Sequence, residues 1–437
     1  MAIFKGFFTL KKKAYKKAVN GYVPKSVTIP LAQDSNVECI PIVKEGDRVE
    51  EGELIATLKN QSLVSNIYSS VPGTVESFLL SPTPDGFYSK AVKIKTGGKF
   101  KFLGKKKSEI DINSFSSEQI IESLQKAGIL STFYASKIEL LYSQIQKCVL
   151  NHKNLLVVRL FDEDVTRISD SLLSEFFLDK ILEGTEIICK ALGAKGVIFV
   201  LDNKFPKKED IKISSDFRII QVDSKNYPNG FYEQIISQVK KTFTEEPYKN
   251  LSKNDLFVDS STLLEVFRCV KYNMPVVDRY VHVSGECISF SGMIKVCIGT
   301  TFESLAEQCG GFVKKPGAII VNGLLLGSSS SSLKSTVTKY VKSVSFLPVI
   351  RKPLQHNSEC IHCGNCRKVC PLFLSPDVLY RHASGGQGAQ IEYLKSAKIC
   401  SNCGLCNSYC PSRLPISQKI LELKNKLQKK EELNESK

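Results

Sequence analysis

The 437-residue chain is about three times a domain of roughly 150 residues, so several separately cored domains are expected. Its 60 Lys and Arg against 44 Asp and Glu leave a net charge of +16, and 42% hydrophobic with 24% charged residues excludes a disordered chain. No run approaches the roughly 18 apolar residues of a membrane-spanning helix, and residues 1–20 lack an apolar core followed by a small-residue cleavage site, so a reducing, cytosolic setting is the expectation.

Residues 1–30 hold seven lysines and no acidic residue, with Phe4, Phe7 and Phe8 among them. Such an arm suits an anionic membrane face or an acidic partner, or is a solvated tail. From Pro24, short β-type runs at 27–29, 37–43, 48–49, 54–58, 66–68, 73–78 and 91–95 predict a small all-β unit. The basic, glycine-punctuated stretch 97–107 reads as a linker. Beyond Ser116, buried strands at 155–158, 196–201 and 217–222 alternate with helices at 172–192 and 232–243, the pattern of parallel βαβ units. Residues 251–267 read as a helix, and strands at 281–284, 294–298 and 318–321 with a helix at 301–309 form a second, α+β unit. Ser328–Ser332 reads as a turn or flexible loop without chemistry. The last unit, starting near Arg351, ends in a charged helix at 416–433 with a narrow stripe of Ile420, Leu423 and Leu427. The expected domains are 1–98, a linker at 99–115, 116–250, 251–345 and 346–437.

Fifteen cysteines, an odd number, argue against a disulfide framework, and eight of them fall between Cys360 and Cys410. They form Cys360-x2-Cys363-x2-Cys366-x3-Cys370-Pro371 and, 40 residues later, Cys400-x2-Cys403-x2-Cys406-x3-Cys410-Pro411, the run that binds [4Fe–4S] clusters in two-cluster ferredoxins. Three closely spaced thiolates wrap one cluster corner, with Gly364 and Gly404 letting the backbone approach the inorganic sulfur. One loop cannot supply the fourth ligand, which comes from the opposite motif, the following proline turning the chain away. The expected ligand sets are Cys360, Cys363, Cys366 and Cys410 for one cluster, and Cys400, Cys403, Cys406 and Cys370 for the other. Structural zinc is the competing reading, but its ligand pairs normally stand farther apart. The other seven, among them Cys148, Cys189 and Cys309, lie on apolar stretches as core residues. His362 lies inside the first loop, where eight thiolates leave it no vacancy, so it faces solvent or tunes a potential. No catalytic triad or paired-carboxylate site accompanies these motifs, and no catalytic residue is assigned.

At this point the chain resembles the RnfC family, the iron–sulfur component of the membrane-bound, ion-translocating Rnf electron-transport complex that links low-potential carriers to NAD. The resemblance rests on residues 24–31, 41–52 and 69–75 at the N-terminal end, on Ser284-Gly-Glu, Ile298-Gly-Thr300, Gly310-Gly311 and Ile320-Val-Asn-Gly323 in the middle, and on the double cysteine motif. It implies a multidomain α/β and α+β fold. The parts are an N-terminal β barrel-sandwich hybrid, a Rossmann-like α/β domain resembling the flavin subunit of complex I, an SLBB β-grasp domain, and a ferredoxin-like α domain with two [4Fe–4S] clusters. The first domain also resembles a lipoyl or biotinyl carrier, in which the modified lysine stands ten residues after the turn glycine. Counting from Gly52 reaches Ser62, while Ile67 and Gly73 keep that register and Lys59 falls off it. With no amine to acylate, a docking module is expected.

The family's nucleotide loop has Gly-Gly-Ala-Gly-Phe-Pro character, so that backbone N–H groups can approach phosphates. Residues 127–137 instead read Ala-Gly-Ile-Leu-Ser-Thr-Phe-Tyr-Ala-Ser-Lys, leaving only Gly128, and the acidic segment after the strand 155–158 has become Asp162-Glu163-Asp164 without its proline. Glu183-Gly184 and Tyr227-Pro-Asn-Gly230 survive, both also compatible with helix and turn roles. Glu183, Tyr227 and Gly230 would be the FMN-binding residues if FMN is retained, but an anion nest needs small residues, which argues against FMN and NADH.

The leading expectation is an electron-relay subunit that passes electrons through two [4Fe–4S] clusters between ferredoxin or flavodoxin and Rnf membrane subunits. It would be a non-autonomous part of an ion-translocating oxidoreductase, peripheral on the cytoplasmic face of the inner membrane. Its basic surface favours acidic carriers through attraction that salt weakens. Alternatives are an FMN-containing, NADH-oxidising module of the same complex, a soluble RnfC-like cobalamin reductase, which the domain order disfavours, and an adaptor whose clusters only hold the fold. Dispersed lysines without a recognition motif speak against nucleic acid.

Overall fold

Period-two alternation builds the N-terminal β unit. The computed structural model describes residues 17–34, 37–59, 64–134, 138–349, 359–386 and 391–435. Its first strands are β1 (Val19–Asn20), β2 (Ser26–Pro30), β3 (Ala32–Asp34), β4 (Val37–Glu38), β5 (Ile40–Pro41), β6 (Arg48–Val49), β7 (Leu54–Lys59), β8 (Val64–Tyr68), β9 (Gly73–Pro82) and β10 (Tyr88–Thr96). β2, β10, β9 and β6 form one antiparallel sheet and β5, β7 and β8 another. Val27, Ile29, Ile55, Ile67, Val75 and Ile94 are buried in a common core, as alternation requires. The expected strand 37–43 is two short ones, because the Cys39 N–H donates to Leu31 O at 2.9 Å instead of continuing one ladder. The lysine-rich arm with Phe4, Phe7 and Phe8 and the hairpin tip with Ser62 lie outside the described residues. The end of the arm is not all tail, since β1 pairs in parallel with a strand some 270 residues away, Val19 facing Ile294.

The stretch 97–107 carries no helix or strand, yet it is anchored: the buried Glu51 carboxylate accepts the N–H groups of Lys101 and Phe102, each at 2.7 Å, and of Leu103 at 3.3 Å. There follow α1 (Ser117–Ala127), β11 (Leu130–Ser131), β12 (Glu139–Leu140), α2 (Leu141–Leu150), β13 (Leu155–Arg159), α3 (Ser169–Phe176), α4 (Leu178–Leu192), β14 (Gly196–Asp202), β15 (Phe217–Val222), α5 (Tyr232–Thr242), β16 (Leu256–Asp259) and α6 (Ser260–Tyr272). A capping box of Ser116 and Gln119 starts α1. The parallel sheet runs β15-β14-β13-β16, so strand order reverses between β13 and β16. Leu156 and Val158 face one core and Leu155 and Val157 the other, which is why β13 reads as a continuous apolar run.

Two expectations need correction here. The helix expected over 172–192 is broken at Phe177, whose φ of −133° ends α3 and whose ring packs on Tyr280 at 5.0 Å between centroids. The helix expected over 251–267 is instead β16 followed by α6: Leu256-Phe-Val is buried on both faces, and a short apolar run does not distinguish strand from helix by period. The parallel sheet therefore continues beyond residue 250, where the domain was expected to end.

β17 (Asp278–Ser284), β18 (Gly292–Cys297), α7 (Phe302–Gln308), β19 (Pro316–Val321), β20 (Ser328–Ser330) and β21 (Ser343–Pro348) complete this part. They join β1 in a mixed sheet of order β1-β18-β17-β21-β19-β20. The serine run expected as a loop supplies β20, which pairs with β19, and Ser330 Oγ lies 2.6 Å from Ser335 Oγ.

Residues 1–349 form one compact unit and 350–437 a second, four residues beyond the expected boundary. The second is helical: α8 (Asn365–Lys368), α9 (Pro376–Ala383), α10 (Ile391–Lys395), α11 (Leu405–Ser408) and α12 (Ile416–Glu435). Its core joins Leu374, Leu379, Leu394, Ala397, Leu414, Ile420 and Leu423, with Leu427 half-buried against it, so the expected stripe of α12 is the packed face. Among the described residues no helix is long and apolar enough to cross a membrane.

Candidate functional site

The two cysteine motifs share a backbone plan. His362 and Asn402 (φ 56° and 57°), Gly364 and Gly404 (both 73°), and Phe373 and Arg413 (55° and 52°) occupy matching left-handed positions. Left-handed residues beside right-handed ones turn successive N–H groups inward, as a concave anion site requires. Asn402 N–H thus donates to Cys400 Sγ and Leu374 N–H to Cys370 Sγ, each at 3.4 Å. A Cβ on Gly364 would meet nothing within 4 Å, so its positive φ rather than crowding explains the glycine. Matching positions also tie each loop to the next helix. Arg367 donates two hydrogen bonds of 2.7 Å to the Asp377 carboxylate, whereas Asn407 Oδ1 accepts the Ser417 N–H at 2.7 Å. The Arg367 guanidinium holds the Asp377 carboxyl below the usual carboxylate range.

Two cavities result. One, of about 380 Å³ including open solvent, is lined by Cys360, Cys363, Cys366 and Cys410, with His362 exposed on its wall. The other, of about 370 Å³, is lined by Cys400, Cys403, Cys406 and Cys370. Each wall thus draws three thiols from one motif and one from the other. Among the described residues no three His, Cys, Asp or Glu side chains are grouped for a single metal ion, and four thiols around a cavity suit the donor chemistry of an iron–sulfur cluster. Burial, then the neighbouring Cys403 and Cys400, push the Cys406 thiol far above its ordinary value, and burial pushes Cys403 up to about 11. Thiols this costly to ionise would become thiolates only where bound iron replaced their protons. The seven other cysteines are all buried, consistent with core roles.

The surviving nucleotide motifs are dispersed. Glu183 reaches Lys271 of α6 at 3.4 Å, and Gly184 lets α4 pack on α6, where a Cβ would stand 2.4 Å from Leu263 O. Tyr227 stacks edge-on against Phe231 at 5.4 Å, and Gly230 O accepts Arg159 Nη1 at 2.6 Å. Of the stretch 127–137, residues 135–137 lie outside the described residues, while Ile129, Leu130, Ser131, Thr132 and Phe133 are buried across the carboxyl ends of β13 and β16. Arg159, wholly buried at the end of β13, stacks 3.9 Å above the Phe133 ring and donates to Phe133 O at 2.8 Å. Asp259, at the end of β16, accepts the Thr262 N–H at 2.8 Å and pairs with Lys342, which also reaches Asp170 at 2.9 Å. Burial alone would raise the Asp162 and Asp259 carboxyls, but Arg167 and backbone donors hold Asp162 low, and Lys342 holds Asp259 low. Asp170 goes the other way, raised by burial and by its carboxylate neighbours. An FMN phosphate does not fit a crevice already filled by these side chains. Sequence reasoning missed Arg159, Asp170, Asp259 and Lys342; the charge closing the apolar run Leu155-Leu-Val-Val-Arg159 was the one local signal.

Residues 7–99 match the RnfC barrel sandwich hybrid domain, and residues 356–414 match a 4Fe-4S dicluster domain. The C subunit of the proton-translocating ferredoxin:NAD(+) oxidoreductase complex of Clostridium ljungdahlii is 28% identical, the match spanning 82% of this chain and 78% of that protein. The C subunit of the ion-translocating oxidoreductase complex of Rhodobacter capsulatus is 27% identical over 84% of this chain and 72% of its own length. The C subunit of the Na(+)-translocating ferredoxin:NAD(+) oxidoreductase complex of Acetobacterium woodii is 26% identical over 82% and 81%. Among solved structures, an NAD+-reducing [NiFe]-hydrogenase in the H2-reduced state aligns at 14% identity and a TM-score of 0.47; the match covers 71% of this chain and 63% of that one, under two thirds of its length. With an RnfC barrel sandwich hybrid domain, a 4Fe-4S dicluster domain, and relatives named as the C subunits of such complexes aligned over four fifths of its length, the chain is a divergent relative of the RnfC subunits.

Proposed function

We propose that this chain is the electron-transfer subunit of a membrane-associated Rnf-type complex, relaying electrons through two [4Fe–4S] clusters between a soluble carrier, ferredoxin or flavodoxin, and membrane subunits. The observation that carries the proposal is the pair of cavities, each walled by three thiols of one motif and one of the other. In this reading Cys360, Cys363, Cys366 and Cys410 hold one cluster and Cys400, Cys403, Cys406 and Cys370 the other. Crossed ligation fastens the two motifs together and keeps the clusters within one rigid helical core, which one-electron transfer needs more than acid–base groups. The middle of unit 1 is read as a Rossmann-like domain followed by an SLBB β-grasp domain. The net charge of +16 supports docking to an acidic carrier, and the subunit is read as peripheral on the cytoplasmic face of the membrane.

The test is anaerobic reconstitution followed by iron and sulfide counts and EPR of the reduced protein. About eight irons per chain and two reducible [4Fe–4S] signals are expected. Cys370→Ala should deplete the cluster bound by Cys400, Cys403 and Cys406; loss of only the other cluster overturns the crossed assignment. Clusters that no low-potential donor reduces would leave the adaptor reading. Association with an acidic ferredoxin should weaken steeply as salt rises, and salt-insensitive association would count against the docking part.

A further inference from the structure

In open parallel sheets, ligands bind outside the carboxyl ends of the strands where strand order reverses, with phosphate received by the N-terminus of the following helix. In this chain that place lies between β13 and β16, and the helices that begin there are α3 and α6. Both N-termini already hold an anion, and in each case the anion belongs to the chain. Asp162 accepts the N–H groups of Asp170 and Ser171, each at 3.0 Å, at the start of α3. Asp170 accepts the Ser261 N–H at 3.2 Å and Asp259 the Thr262 N–H at 2.8 Å at the start of α6.

The balancing cations are equally internal. Lys342, 2% exposed, arrives from the segment before β21 and bonds Asp259, Asp170 and the Thr132 carbonyl, the last at 3.0 Å. Arg167 bonds Asp162 at 2.9 Å and Asn322 O at 3.2 Å. From the same acidic turn, Asp164 accepts the N–H groups of Leu325 and Leu326 at 2.8 and 2.9 Å. Lys339 carries the join further, donating to Asn66 O at 2.6 Å and Gly128 O at 3.0 Å. The Phe161 ring, the Glu163 backbone and the Arg159 side chain fill the space next to Gly230, where a Cβ would stand 3.1, 3.3 and 3.7 Å from them.

We propose that this crevice has become an ion-pair lock between the parallel sheet and the segment 322–342, in which internal carboxylates stand where a nucleotide's phosphates would, and that it binds neither FMN nor NADH. Electrons would then pass through this chain by its clusters alone, each reduced by one electron and reoxidised in handing it on. That consequence rests on the proposed relay, whereas the lock stands without it.

The test uses the full-length, cluster-loaded protein. Acid release should yield no flavin, and FMN or NADH titrated to millimolar concentration should give no saturable change in flavin fluorescence and no shift in the melting temperature of unit 1. Flavin near one per chain, or saturable binding of either nucleotide, overturns the proposal and leaves the relay untouched. Loss of the buried cation in Lys342→Met should lower that melting temperature by roughly 5–10 °C at unchanged iron content; an unchanged temperature overturns the lock. If that variant does not fold, hydrogen exchange of the wild type decides. The amides of Asp170, Ser171, Ser261 and Thr262 should be as protected as those of β13, and exchange at loop rates overturns the lock.

Discussion

At the carboxyl ends of β13 and β16, Asp162, Asp170, Asp259, Arg159, Arg167 and Lys342 are each less than 6% exposed and bond one another, nearby backbone and the Thr132, Ser169 and Ser171 hydroxyls, Arg159 Nε alone of their nitrogens being buried without a partner among the described residues. In the dicluster domain, eight thiols line two cavities, Cys363 is exposed, and Cys360, Cys370, Cys400 and Cys410 are only half-buried. Both places use inward-pointing N–H groups: in the first they are met by carboxylates of the chain, and in the second they face sulfur. In the first crevice the charges of the chain balance one another, whereas the second presents buried thiols whose ionisation would need a cation the chain does not encode. The comparison shows how a concave anion site can be kept for an inorganic group or closed, depending on whether an aspartate and a lysine enter it.

The comparison can be broken in several ways. The largest effect is expected from removing iron with an oxidant and chelator. The dicluster domain should lose its cooperative transition and its amide protection, while unit 1 keeps both; equal loss in the two units would mean that the clusters also hold unit 1 together. Next comes Arg159→Met, which strands the Phe133 and Gly230 carbonyls beside Glu163. A cost of about 3–5 kcal/mol in denaturant unfolding is expected for such a buried break. His282 gives a pH handle on the same region. Burial, slightly opposed by Asp162, lowers it from 6.5 to about 4. Between those values the folded chain binds fewer protons than the unfolded one, so this stability is complete above pH 6.5 and is lost as pH falls toward 4. The loss amounts to about 3 kcal/mol. Replacing His282 by Phe should flatten unfolding free energy against pH in that window, and an unchanged slope would assign it to other groups. The smallest effect is expected of Arg367→Met in the dicluster domain. Its side chain is 50% exposed, and despite its bidentate bond to Asp377 the pair should be worth about 1 kcal/mol.

What could be read beforehand follows the range of each interaction along the chain. The cysteines at x2, x2 and x3 spacing form a local pattern, as do β13, β14, β15 and α12, whose apolar runs or stripes lie within one element. Lys342 and Asp170 are separated by 172 positions, so no window contains the pair and nothing about Lys342 sets it apart from an exposed lysine. β16 was hidden for a different reason: four buried residues are too few to show a period, and the helix directly after them lent them its own. The serines of β20 were misread because serine composition points to turns, whereas pairing with β19 is a tertiary fact.

Glu51 carries a practical consequence for anyone cutting this protein into pieces. Its buried carboxylate grips three successive amides of the stretch 101–103, and Phe102 packs over Gly52. Trypsin should therefore spare Lys99 and Lys101 in the folded chain, although the sequence around them looks like an invitation to cleave. A fragment ending at residue 98 would leave that carboxylate without its donors, so a stable N-terminal fragment has to extend at least through Leu103.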